Sequence, residues 1–150
     1  MSHSVQPCYS PSRQQGFTLI EIMVVVIIIG ILAAIVAPNV IGRVDDAQIT
    51  KAKAEIANIE NAMKFFRLDN FAYPTSEQGI EALVNQPVDP NIRNWKAGGY
   101  LERMPTDPWG NPYLYLSPGN QGEIDIYTLG RDARPGGEGI DADIGNWNLE

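Results

Sequence analysis

One stretch constrains this chain more than any other. From Phe17 to Ala37 the sequence runs for 21 residues and is apolar almost throughout, with Thr18 and Glu21 near its start. A helix rises 1.5 Å per residue, so this length is about the thickness of a bilayer core. A carboxylate inside such a helix costs roughly 2.5–3.5 kcal/mol on insertion scales, so Glu21 needs a partner or a reason. Three readings are open. A secretory signal would place small residues after the apolar run. Ala33-Ala34 and Val36-Ala37 loosely allow that, but Pro38 makes a poor cleavage site. A plain anchor would leave Glu21 near the helix start, where the dipole favours an anion. Polar Arg13-Gln14-Gln15-Gly16 also precedes the run, which speaks further against a secretory signal, and a third reading rests on a resemblance carried by the residues at this border.

Gly16-Phe17-Thr18-Leu19-Ile20-Glu21 resembles the processing site of type IV pilins and pseudopilins. The resemblance implies cleavage between Gly16 and Phe17 by a prepilin peptidase, and methylation of the new Phe17 amine. It also implies that Glu21 pairs with the terminal amine of a neighbouring subunit during filament assembly. Glycine, phenylalanine, threonine and glutamate occur together at the offsets that family uses; the glutamate alone would be a weak sign.

The 150 residues are enough for one domain after the membrane segment, and the folded part is about 100 residues. Formal charge is −7, and loss of Arg13 leaves ten of the eleven basic side chains against eighteen acidic ones, a formal −8. That balance argues against nucleic acid as a partner, which rewards clustered Lys and Arg. It suits exposure outside the cytoplasm and binding of hard cations. The single cysteine, Cys8, lies upstream of the proposed cut. The processed chain would hold no disulfide, thiol nucleophile or cysteine metal site, so its loops need another staple.

Beyond Pro38, where a proline would bend a continuing helix, the helical pattern resumes. Ile49, Ala52, Ile56, Ile59, Met63 and Phe66 are spaced 3, 4, 3, 4, 3, with Lys51, Lys53, Glu55, Glu60, Asn61 and Lys64 between them. This predicts an amphipathic helix whose stripe packs on its own domain. About two and a half heptads leave an intermolecular coiled coil as the lesser alternative. Asp69 to Thr75 reads as a helix exit and turn. Thr75 or Ser76 is expected to cap a second short helix with Ile80, Leu83 and Val84 on its apolar face. Residues 86–99 read as loop. Tyr113 to Leu116 and Ile124 to Leu129 are expected to form an antiparallel hairpin around Ser117 to Gly122. Tyr113 and Tyr115 share a strand face and read as packing; Asp107 and Trp109 read as turn and core. Trp147 is expected to dock.

Arg131 to Ile144 is a glycine- and aspartate-rich loop. Asp132, Glu138, Asp141 and Asp143 fall within twelve residues, among Gly136, Gly137 and Gly139. Calcium takes six to eight oxygen ligands, mixing carboxylates with backbone carbonyls. On composition a solvated acidic loop and an ion site are both open, and the lack of disulfides favours the ion. The spacing is not that of an EF-hand.

Three ordered motifs extend the resemblance: Asp107-Pro108-Trp109-Gly110-Asn111-Pro112-Tyr113, then Leu129-Gly130-Arg131-Asp132, then Asp141-Ala142-Asp143-Ile144-Gly145-Asn146-Trp147. Together they resemble the major pseudopilins of type II secretion systems, over Gly16 to Trp147. That resemblance implies one structural calcium ion in the C-terminal loop, where a type IV pilin uses a disulfide. Carried over, Asp132, Asp141 and Asp143 are the side-chain candidates and the Leu129 carbonyl a backbone candidate, with Glu138 less clearly placed.

The expected fold is α+β and pilin-like: a long bent N-terminal transmembrane helix packed on a small antiparallel sheet, with a C-terminal calcium loop. Residues 1–16 are the expected leader, 17–38 the membrane part, and 39–150 the periplasmic domain. The resemblance implies a single-pass inner-membrane subunit of a Gram-negative bacterium that self-associates into a helical filament, the pseudopilus. Its implied partners are minor pseudopilins, an inner-membrane assembly platform with its cytoplasmic ATPase, the prepilin peptidase and the outer-membrane secretin complex. The filament would push folded proteins through the outer membrane. A type IV pilin or minor pseudopilin is the nearest rival. A membrane-anchored binding module using Trp95, Tyr100 and Trp109 is another. No nucleophile–base pair, phosphate loop or zinc cluster marks an enzyme, and the only histidine, His3, lies in the leader.

Overall fold

The computed structural model describes residues 16–150. All of the expected leader except Gly16, with His3, Cys8 and Arg13, lies outside the described residues. The chain divides into two units between Val40 and Ile41.

Helix α1 is assigned to Leu19–Asn70 and includes Pro38. In the first unit, none of the side chains from Leu19 to Val36 is buried. They are apolar on every side: Ile20, Ile28 and Ile35 stand 70%, 51% and 62% exposed. A helix that is hydrophobic all round has no face for water, and its bonded backbone is what a bilayer requires of any spanning segment.

In the second unit the expected stripe forms. Ala52, Ile56, Ile59, Met63 and Phe66 are buried, Ala62 joins them, and Ile49 packs at the edge. The opposite face carries the pairs Lys51–Glu55 at 3.7 Å and Lys64–Glu60 at 3.2 Å. The helix ends at Asn70, where Phe71 turns into the left-handed region at φ 63° and its N–H donates to the Arg67 carbonyl at 2.7 Å.

The expected second helix is only a single 3-10 turn, Ile80–Leu83. Thr75 does cap, but it caps a turn: its N–H donates to Gln78 Oε1 and its hydroxyl accepts from the Gln78 N–H. Gly79 then takes φ 60°, which no α-helix can continue through. Ile80, Ala82 and Leu83 reach the core, whereas Val84 is half-buried. The following loop is tied back onto this turn. The Trp95 indole donates to the Ala82 carbonyl at 2.9 Å, and the Tyr100 and Leu101 N–H groups donate to the Leu83 carbonyl.

The sheet has order β1-β2-β3 and is antiparallel throughout. β1 (Leu114–Leu116) pairs with β2 (Asp125–Thr128), with Tyr115 opposite Ile126. β3 is the two-residue strand Ile144–Gly145 against Tyr127 and Thr128, in a region expected to be loop. Two residues are too few for alternation to reveal a strand. Its position is held by Asn146, which donates to the Ile124 carbonyl and accepts from the Ile126 N–H, both at 3.0 Å. Ile124, Ile126 and Ile144 meet the helix stripe in one core with Tyr113 and Tyr115. The fold is α+β.

Buried carboxylates staple the loops where disulfides might have done so. Asp107, 3% exposed, accepts from the N–H groups of Trp109 and Asn111 and from the Thr128 hydroxyl, joining the 105–112 turn to β2. Asp125, 2% exposed, accepts from the Asn120 and Gln121 N–H groups and closes the hairpin.

Candidate functional sites

The N-terminal site begins in non-helical backbone. Gly16, Phe17 and Thr18 precede α1 and are exposed, Phe17 at 78%. An open segment is what a peptidase can thread, and among the described residues no atom beyond the chain neighbours lies within 4 Å of the place a Gly16 Cβ would take. Glu21 sits in the first turn. Its N–H donates to Thr18 Oγ1 at 3.3 Å, and its Oε2 accepts from the Thr18 N–H at 3.4 Å. This is a reciprocal capping box, which satisfies two of the amides that a helix start leaves without intrahelical partners. Glu21 therefore has a local partner as well as the intermolecular one expected of it. The Thr18 role was missed, although Thr-x-x-Glu ahead of an apolar run is a readable signature.

The second site is the loop from Leu129 to Asp143. Gly130 (φ 70°) and Gly137 (φ 89°) close on the Asp141 backbone from two sides. A Cβ at Gly137 would lie 2.3 Å from the Asp141 oxygen, and one at Gly130 would lie 2.7 Å from the Asp141 carbonyl carbon. Only glycine allows this approach. The Arg131 N–H donates to the Ile140 carbonyl at 3.1 Å, and Gly139–Asp141 forms a 3-10 turn.

The three candidate carboxylates share this loop but have different partners. Asp132 is exposed and accepts from the Arg134 N–H at 3.1 Å. Both oxygens of Asp141 accept from Arg131, from Nε and Nη2, each at 3.0 Å. Asp143 Oδ2 accepts from the Gly136 N–H at 3.0 Å, while its Oδ1 is shielded and has no hydrogen-bond partner. Glu138 is exposed at the start of the 3-10 turn, and Leu129 is half-buried just after β2. Among the described residues, no three Asp, Glu, His or Cys side chains stand close enough to hold a metal in this arrangement. Arg131 is the residue that sequence reasoning overlooked; a contact between residues ten apart in a loop leaves no periodic trace.

The aromatic residues that could have formed a binding platform are committed to packing. Trp95 and Tyr100 meet edge-on at 6.2 Å, and the Tyr100 hydroxyl donates to Asp69 Oδ2. The Trp109 indole donates to Gln48 Oε1. Burial raises the Tyr113 phenol well above its ordinary range, helped by its hydrogen bond to Glu55; burial also pushes Tyr115 up to about 12. Neither tyrosine is set up for proton transfer near neutral pH.

Comparison with known proteins bears on the family and on the N-terminal motif. Residues 11–37 match the family described as "Prokaryotic N-terminal methylation motif", and residues 39–147 match "Type II secretion system (T2SS), protein G". The chain is 55% identical over 138 residues to the type II secretion system core protein G of Vibrio cholerae serotype O1, covering 92% of this chain and 94% of that one. It is 56% identical over 137 residues to the Pseudomonas aeruginosa protein of that name, covering 91% and 96%. Among solved structures it matches the crystal structure of the major pseudopilin from the type 2 secretion system of enterohaemorrhagic Escherichia coli. There the TM-score is 0.64 and the identity 43%, over 73% of this chain and 95% of that one. The methylation motif ends where the second match begins, at the join between the apolar segment and the folded unit. The chain therefore belongs to the type II secretion system protein G family.

Proposed function

We propose that this chain is the major structural subunit of the pseudopilus, built by polymerisation and not by catalysis. The observation that supports this best is the tandem order: a methylation motif over residues 11–37, then a protein G unit over 39–147, on a helix with no buried side chain from Leu19 to Val36. Such a helix needs either lipid or the helices of other copies around it. The subunit is anchored in the inner membrane with its folded unit in the periplasm. It meets the prepilin peptidase first, then the assembly platform and minor pseudopilins, and grows beneath the outer-membrane secretin. Cleavage falls between Gly16 and Phe17. The methylated Phe17 amine of one copy pairs with Glu21 of the next, which relieves the cost of a carboxylate in lipid.

The test is the mass of the N-terminal peptide recovered from envelopes. A methylated Phe17 start is expected, and Gly16→Leu should leave the precursor uncut because only a small residue is tolerated there. A start at Met1 or beyond Ala37 would refute the reading. Glu21→Ala should insert and be processed yet enter filaments poorly; wild-type filament yield from that variant would remove the pairing role.

The folded unit takes one structural calcium ion in the 129–143 loop, through Asp132, Asp141, Asp143 and the Leu129 carbonyl. The donors suit a hard cation, being all oxygen. Asp143 Oδ1 supports the reading further: a shielded acceptor without a partner is rare in folded proteins and calls for a cation or donor. The ion would tie down a glycine-rich loop. It would add about 2.7 kcal/mol of stability at a hundredfold excess over its Kd, since it binds only the folded loop. Melting curves of the full chain in detergent should differ between calcium and chelator.

A further inference from the structure

We infer that Arg131 is a built-in rival of the calcium ion for Asp141, so that it sets the ion affinity of the 129–143 loop and steadies the loop when calcium is scarce. The inference rests on the calcium reading above but concerns a residue that reading does not use. Both Asp141 oxygens accept from the Arg131 fork at 3.0 Å. A carboxylate whose two oxygens both face a guanidinium has its bidentate edge occupied, so it cannot also take an ion in bidentate fashion at about 2.3–2.6 Å. A guanidinium left beside a divalent ion would also repel it, and Arg131 cannot shed its charge.

The local build permits an exchange. The Asp141 backbone is confined between Gly130 and Gly137, and the Arg131 N–H is bonded to the Ile140 carbonyl, so both backbones stay in place. The Arg131 side chain is 55% exposed and that of Asp141 31%. The guanidinium can therefore leave into water without opening the core, and an exposed ion pair of this kind is weak enough to be displaced. The pairing also partly balances the loop's negative charge without an ion, while Asp132 and Asp143 keep backbone partners of their own.

Removing Arg131 should have two effects of opposite sign. Without the rival, calcium binds more tightly; without the counter-charge, the chelated loop is less stable. An ordinary surface salt bridge would lower stability in both conditions and would not tighten ion binding. The experiment is calorimetric titration with calcium alone, plus melting with calcium or chelator, on the full chain in detergent. The proteins are wild type, Arg131→Gln, Arg131→Lys and, as a ligand control, Asp143→Asn. For Arg131→Gln the calcium Kd should fall roughly two- to fivefold. Its melting temperature should drop in chelator and rejoin wild type at saturating calcium. Arg131→Lys keeps the charge, loses the fork and should lie between the two, which keeps the test open if the glutamine variant folds poorly. A Kd in both Arg131 variants equal to or weaker than wild type, with Asp143→Asn weakened, would overturn the inference and leave the calcium reading standing. No calcium heat and no calcium-dependent melting in wild type would remove both.

Discussion

Residues 19–36 and 49–66 lie in the same helix assignment and both are rich in isoleucine, yet they solve different problems. In the first stretch no side chain is buried, and apolar residues face every direction. In the second, Ala52, Ile56, Ile59, Met63 and Phe66 are buried on one side while Lys51, Glu55, Glu60 and Lys64 pair on the other. One sequence period separates a helix made for lipid or for other copies from a helix made for its own core. The polar chemistry divides in the same way. Glu21 is exposed and, among the described residues, its carboxylate bonds to Thr18, three residues away, which leaves it open to an incoming amine. Asp107 and Asp125 are buried and their bonds close loops.

The largest effect that would test this contrast is a truncation of the same residue type in both stretches. Ile56→Ala should cost about 2–5 kcal/mol of unfolding free energy, the range for a fully buried aliphatic side chain. Ile28→Ala should leave the melting of the folded unit within about 0.5 kcal/mol. Denaturation of the full chain in detergent measures both, and a comparable loss from Ile28→Ala would break the comparison.

A smaller effect separates the stapling carboxylates from the loop carboxylates. Asp107→Ala strands two N–H groups and the Thr128 hydroxyl and should cost about 1–3 kcal/mol. In chelator, Asp132→Ala should stay within about 0.5 kcal/mol, since its carboxylate is exposed. Equal losses would mean that Asp132 is stapled too.

The smallest effect is alkaline. Tyr113 and Tyr115 are both raised chiefly by burial, Tyr115 to about 12 from an unfolded value near 10. A raised folded value means that the unfolded chain gives up protons first. The stabilisation is therefore complete below pH 10 and is lost as pH rises through about 12. The stretch 19–36 has no tyrosine, so only the folded unit should weaken in that window, and Tyr115→Phe should flatten the profile. A wild-type unfolding free energy that is level from pH 9 to 12 would show that these hydroxyls are not buried.

Much of the architecture was legible because it depends on local spacing. The 3, 4, 3, 4 seam, the alternation around Ile126 and the turn residues of the hairpin need no distant partner to be recognised. Legibility failed where one backbone conformation or a distant partner overrides the local pattern. Gly79 turned an expected helix into one 3-10 turn, and β3 exists because Tyr127 and Thr128 offer it an edge. Asp107 read as a turn residue, which it is, but its bond to Thr128 makes it a link between the turn and the sheet.

By itself the sequence determined the apolar span, the methylation motif over residues 11–37, the helix stripe and the family. Each of these is written in residues that are neighbours along the chain. Tertiary structure alone decided how the acidic loop is arranged. Charge and glycine content placed Asp132, Asp141 and Asp143 in one loop. Which of them accepts from Arg131, which from a backbone amide, and which keeps a shielded oxygen depends on where Gly130 and Gly137 let the backbone close on Asp141. The physical reason is precision: hydrophobic periodicity is a property of one element, whereas the partner of a carboxylate is set within about 3 Å by how the loop folds back on itself.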